Sequence, residues 1–412
     1  MIRSAFRSSS LLLSVALLLS GHGLQLAFVP IKAEFNEWTS VDIGLLSSFY
    51  FAGFILGCFT VPRLVSRIGH IRSYAFLVSL FTTSIMCLSL GDYFFFWLVL
   101  RVLSGVCIAG LYLVIESWLN EQLSSDVRGG VLAVYTVIVL AGLAVGQLLV
   151  NAAPVGSDRL IVISALFIVL ATVPISLTRS SQPEQIPNAT FSPLLILRTS
   201  RTASASSFSS GVISGSVYGL GPVYGLQQGM DVSSVSLMMA LAITGGALAQ
   251  YPLGRLSDSY ARHLVILGCL IAGAIIAAVA LLLPASAGPL ILCLFGAAVM
   301  PVYALSLALS SDNVTEGSFI EVGTGLLMIN AFGSILGPLV TSQLMFRLGA
   351  EYFFVSHLVV LLLGGFGVFA LSRSERASSG DRPDFKLATT AAAQGALQLD
   401  PRAGEDQGLD SD

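Results

Sequence analysis

Apolar residues in this chain do not alternate with polar ones. They run on. Runs of about 18 or more, interrupted only by single small or polar residues, fall at 9–31, 43–62, 73–91, 94–117, 129–151, 160–178, 203–228, 233–254, 264–284, 288–311, 322–346 and 352–372, twelve in all. Each is long enough, at about 1.5 Å per residue, to cross about 30 Å of hydrocarbon as a helix. A membrane strand would instead alternate over about ten residues, so the pattern predicts helices rather than a barrel.

Composition supports the same reading. Of 412 residues, 55% are hydrophobic and only 10% charged, against about 25% charged in soluble proteins. The expected fold class is an all-α membrane protein of twelve transmembrane helices. Arg3 and Arg7 ahead of LLLSVALLLS imitate a secretory signal, but cleavage would leave eleven spans and break the repeat described below. The five cysteines all lie in predicted spans, where they act as small hydrophobes, and neither a disulfide nor a metal site is expected.

Lys and Arg are retained on the cytoplasmic side. With the N-terminus inside, sixteen basic residues fall in cytoplasmic segments and three, Lys32, Arg159 and Arg347, in outer loops. Both termini are therefore expected in the cytoplasm, with the chain in the cytoplasmic (inner) membrane. The longest interruption, RSSQPEQIPNATFSPLLILRTSR from Arg179, reads as a linker. The expected organisation is an N-terminal six-helix half at 1–178, a cytoplasmic linker at 179–202, a C-terminal six-helix half at 203–373 and a disordered tail at 374–412.

The two halves share spacing. Gly105, Tyr112, Gly142 and Gly146 find like residues 191 positions on, at Gly296, Tyr303, Gly333 and Gly337. At an offset of 192, Gly23 meets Gly215, Pro30 meets Pro222, and Arg63-Leu64 meets Arg255-Leu256. Glycine is common here, so one match means little; the ordered series points to parallel repeats about an axis along the membrane normal.

On these residues the chain resembles the major facilitator superfamily over nearly its whole length. GRLSDSYARH, Gly254 to His263, is similar to that family's loop signature through Gly254, Asp258 and Arg262. The first-half loop keeps Arg67, Gly69 and Arg72, with Pro62 and Ser66 for the glycine and aspartate. RVLSGVCIAG from Arg101 and GSILGP from Gly333 resemble motifs of spans 4 and 11. GLYLVIESWLNE with Arg128-Gly129, RIGHIRSYA and YPLGRLSD resemble the YcaD-like branch. The resemblance implies two six-helix parallel repeats (the major facilitator fold), secondary transport, and a cavity lined by spans 1, 4, 7 and 10.

Few ionisable groups lie inside the spans, and each costs roughly 3 kcal/mol on insertion scales. Arg101 and His22 fall at similar depth, near mid-membrane. Arg101, Gly105, Ala109, Tyr112, Glu116 and Asn120 step by three or four and so share one face of span 4. Arg101 reads as a holder of an anionic group or as a lock between helices. His22 reads as a proton switch or as a packed neutral histidine, and His357 in span 12 is the weaker proton candidate. The expected substrate-binding residues are His22, Gln25, Arg101, Tyr112, Tyr218 and Tyr303. Gln147, Tyr224, Gln227 and Asn330 are further polar candidates, each equally readable as an interfacial anchor or a helix bridge.

Glu116 falls about 22 Å beyond Arg101 along span 4, too far for the same site. It is expected to pair with Arg67 or Arg72 in a cytoplasmic gate, alongside Gly254, Asp258 and Arg262; pairing with Arg128 is the alternative. No phosphate loop or spaced metal-ligand set occurs in the sequence. The expected function is a non-enzymatic, secondary active transporter, proton-coupled and monomeric, moving a small molecule without cofactor or nucleic acid. A receptor or assembly scaffold that keeps the fold is the alternative.

Overall fold

The computed structural model describes residues 2–122, 125–177, 200–312 and 319–373, and all its regular elements there are helical. Span 1 is Ile2–Phe35, span 2 Ser40–Ile68, span 3 His70–Met86 with a turn of 3-10 helix at Cys87–Leu90, and span 4 Phe94–Gln122. Span 5 is Ser125–Leu148, and span 6 is Arg159–Leu170 followed by Thr172–Ser176. Span 7 is Arg201–Gln227, span 8 Val232–Ser259, span 9 Arg262–Ala280, span 11 Phe319–Leu348 and span 12 Tyr352–Ser372. Span 10 is divided into Gly288–Val299 and Val302–Ser311. Pro301, the N-cap of the second piece, has no N–H to continue the ladder, so the run expected at 288–311 breaks there. The expected linker, but for its last three residues, and the expected tail lie outside the described residues.

Local chemistry sets the ends. Thr39 and Asp42 form a capping box at span 2, each side chain bonded to the other's backbone N–H, an arrangement that contributes about 1 kcal/mol. Asp231 caps span 8 through the Ser234 N–H.

Eleven of the twelve spans are apolar enough to cross a membrane by composition alone. Span 7 is the exception because of its serines. They are mostly buried: Ser204, Ser206, Ser209 and Ser216 donate to carbonyls one turn back, so the helix satisfies these four hydroxyls itself. Small side chains let it pack closely on span 11.

The repeated glycines are the points where helices touch backbone to backbone. A methyl on Gly105 would overlap the Tyr50 carbonyl, and one on Gly296 the Ala242 carbonyl. Gly53 meets the backbone of Val102, and Gly245, 192 residues later, meets that of Cys293. The crossing of spans 2 and 4 is thus rebuilt between spans 8 and 10. Gly23 and Gly146 bring spans 1 and 5 together as Gly215 and Gly337 bring span 7 to span 11.

Between the first six helices and the last six, spans 2 and 11 pack together, as do spans 5 and 8. Rows of exposed apolar side chains, such as Val162, Leu166 and Val169 on span 6 and Leu362, Leu363 and Phe366 on span 12, form the face that lipid covers.

Candidate binding cavity and the two ends of the bundle

A cavity of about 780 Å³, its mouth included, lies between the two sets of six helices. Span 1 contributes His22, span 2 Tyr50, Phe51 and Phe54, span 4 Tyr112, span 7 Ser214 and Tyr218, and span 11 Asn330 and Ser334. Span 5 adds Val139, Leu140 and Leu143. The wall is therefore aromatic with a few hydrogen-bonding groups, the composition expected of a small-molecule pocket. The Asn330 side chain is tied by its amide to the Ser207 carbonyl at 2.9 Å.

Of the residues expected from sequence, His22, Tyr112 and Tyr218 line this cavity. Arg101 and Gln25 lie just behind it. The Tyr50 hydroxyl and His22 Nε2 are 3.1 Å apart, and the Arg101 guanidinium carbon sits 4.4 Å from the centroid of the Tyr50 ring. Arg101 Nε also donates to the Leu46 carbonyl at 3.4 Å. Gln25 donates to Ser104 at 3.2 Å, and Ser104 in turn bonds the Leu100 carbonyl.

Tyr303 does not join them. It begins the first turn after Pro301 and is buried, about 12 Å from the Ser311 end of its helix. Spans 2, 5 and 11 supply walls where span 10 was expected to. The signal missed was Tyr50: eight residues into an apolar run, it looked like an ordinary core aromatic. Gln147 and Gln227 serve as helix bridges, to the Gly23 carbonyl and to Glu34 and Ser40. Tyr224 stacks on Phe353 at 4.9 Å, and His357 is packed among Phe295, Phe353 and Phe354.

The two ends of the bundle differ. In the orientation given by the basic residues, the outer end carries hydrogen bonds that join the two sets of helices. Gln227 reaches Glu34 at 3.0 Å and Ser40 at 3.1 Å, Asn151 reaches Ser236 at 2.7 Å, and Ser48 donates to the Ile335 carbonyl at 2.8 Å. At the inner end, two clusters among the described residues each lie within one set. Arg262 bonds Asp312 at 2.8 Å, Asp258 at 3.4 Å and the Ala308 carbonyl, binding spans 8, 9 and 10. Asp312 was not anticipated, although a carboxylate closing an apolar run was its signal. Gly254, also expected here, is buried one turn before Asp258. His70 bonds Ser117 at 3.0 Å, binding spans 3 and 4.

Glu116 is fully buried and accepts a hydrogen bond from the Tyr135 hydroxyl at 3.0 Å. The expected pair with Arg67 or Arg72 is not formed: both arginines are exposed, where water solvates them, and Glu116 faces span 5. All three residues belong to the first six helices, so a rigid movement of the halves would leave them apart. The side chain of Arg128 lies outside the described residues.

A bundle of this build, with a cavity between its two sets of six helices, is that of a multi-pass membrane transporter. The model of the Major Facilitator Superfamily matches residues 11–326, and the chain belongs to that superfamily. It is 31% identical over 319 residues to the uncharacterized MFS-type transporter YcaD of Escherichia fergusonii, covering 77% of this chain and 83% of that one. It is 30% identical over 356 residues to the MFS-type transporter YE1530 of Yersinia enterocolitica, covering 85% and 93%. Among solved structures it resembles a bacterial homolog of the human lysosomal transporter Spinster, inward-facing and unoccupied, with a TM-score of 0.71 at 15% identity over 91% of this chain and 99% of that one. The nucleoside transporter NupG aligns with a TM-score of 0.73 at 12% identity over 89% and 98%. These similarities establish the fold and place the chain among transporters.

Proposed function

We propose that this protein is a proton-coupled secondary transporter that carries a small molecule across the cytoplasmic membrane, with both termini inside. Its halves, 1–178 and 203–373, rock about the cavity at Tyr50, Tyr112 and Tyr218, and it works as a monomer. The observation that carries this reading is the set of hydrogen bonds that join the halves at the outer end of the cavity. Closure at the outer end is one of the two closures that an alternating-access carrier exchanges. Reversal would open the Gln227 and Asn151 contacts and bring the inner ends together, with the Asp258–Arg262–Asp312 and His70–Ser117 clusters keeping each half rigid as it moves.

The test uses a cysteine at Ser334 in a background free of native cysteines, reconstituted in liposomes. Alternating access requires that membrane-impermeant thiol reagents reach it from either side in turn, and that an imposed pH gradient shifts the balance. Labelling from one side under all conditions would favour a receptor or scaffold instead.

A further inference from the structure

Arg101, Tyr50 and Gln25 have no polar counterparts in the second half. At the repeat offsets, Arg101 corresponds to Leu292, Tyr50 to Ala242 and Gln25 to Val217, and these three counterparts are buried apolar residues. The helix crossing that Gly105 permits is rebuilt at Gly296 with leucine where arginine stood. The architecture does not need a cation there.

Arg101 is costly where it stands. It is only 4% exposed, and its Nη1 has no protein partner among the described residues. Its Nε bond to Leu46 is long at 3.4 Å, and its other support is the face of Tyr50. Glu116, the carboxylate on the same helix, is about 22 Å away along the axis. One edge of a guanidinium, shaped for bidentate contact with a carboxylate, is thus left without a protein acceptor behind a cavity whose lining contains no Asp, Glu, Lys or Arg.

We infer that the solute is a small organic monoanion: its carboxylate is held by Arg101 with the Tyr50–His22 pair, and its apolar body lies against Phe51, Phe54, Tyr112 and Tyr218. This rests on the transport reading of the same cavity. A single cation balances a single charge, so dicarboxylates and phosphate esters are disfavoured. With no carboxylate in the lining, amino acids would leave an ammonium without a partner. The Tyr50 ring stands between the cavity and the guanidinium, so its rotation accompanies binding.

Three probes share one aromatic body and differ in charge: phenylacetate, phenylacetamide and 2-phenylethylamine. Thermal unfolding of the purified full chain should shift upward with phenylacetate, or with 3-phenylpropionate or isovalerate as size variants, and not with the amide or the amine. Arg101→Gln should weaken the anion's effect by about tenfold or more. Arg101→Leu, which copies Leu292, should fold and show the same loss. Equal shifts with acid and amide, an undiminished shift in the Arg101 variants, or no shift with any of the three monoanions would overturn the assignment. The charge comparison needs only the unsubstituted chain, so an unstable variant does not remove the test. Binding without flux into liposomes would count against transport and leave the site standing; flux indifferent to Arg101 would do the reverse.

Discussion

His70 and Arg262 occupy the same place in the two halves, 192 residues apart, and each ties the start of its span to the helix beside it. Both are 2% exposed. Their partners on the neighbouring helix, Ser117 and Ala308, are themselves 191 apart. One joint is thus built twice, once from neutral groups and once from charged ones. The substitution of Ser66 for the loop aspartate fits this: with His70 in place of an arginine, this joint of the first half has no buried guanidinium for a carboxylate to balance.

The two joints should fail differently. Arg262→Gln leaves Asp312 without its ion-pair partner and should lower stability by about 3 kcal/mol. His70→Gln removes one neutral hydrogen bond and should cost about 1 kcal/mol. Equilibrium unfolding in detergent and denaturant checks the order, and a larger loss for His70→Gln would contradict it.

Glycine crossings give a second prediction. Gly105→Ala and Gly296→Ala each push a methyl into the opposing backbone, which can yield only by moving a helix, and should lower the melting temperature of the purified protein by several degrees. Gly130→Ala faces open space on an exposed helix surface and should be neutral or stabilising by about 0.5 kcal/mol. Equal behaviour of the three would show that the crossings are looser than the structure places them.

Outer closure rests on few bonds, so it should be easily biased. Gln227→Ala removes two hydrogen bonds between halves, together about 1 to 2 kcal/mol. That is enough to raise an outward-facing population about fivefold or more. Labelling of Ser334→Cys from outside should rise accordingly, and unchanged labelling would show that Gln227 does not hold the outer end.

Topology can be checked independently of transport. Cysteines at Asp158 and Asp231, both exposed, should react with impermeant reagents applied outside intact cells. One at Arg72 should react only after the inner face is opened. The reverse pattern would invert the orientation given by the basic residues.

Sequence made some of this legible and hid the rest for identifiable reasons. The spans could be read because continuous apolar runs are a strong signal, and Gly105 and Gly296 because close helix approach admits little else. The break at Met300-Pro301 sat inside an apolar run, where proline is tolerated often enough to pass. Tyr50 and Tyr135 could not be singled out, since nothing local distinguishes a buried aromatic that bonds an ionisable group from one that only packs. Glu116 falls near the C-terminal end of span 4, as its place in the apolar run predicts, but its partner depends on helix rotation. Helical spacing fixes which residues share a face and leaves open which neighbour that face meets.

The central claim is that the halves exchange closure between the two ends. Spin labels at Arg63→Cys and Arg255→Cys, exposed and related by the repeat, report the inner end; labels at Phe35→Cys and Asp231→Cys report the outer end. Distances measured by double electron–electron resonance in lipid nanodiscs should fall into two populations, the inner pair drawing closer whenever the outer pair moves apart. A single fixed distance at both ends across pH and solute conditions would contradict the account.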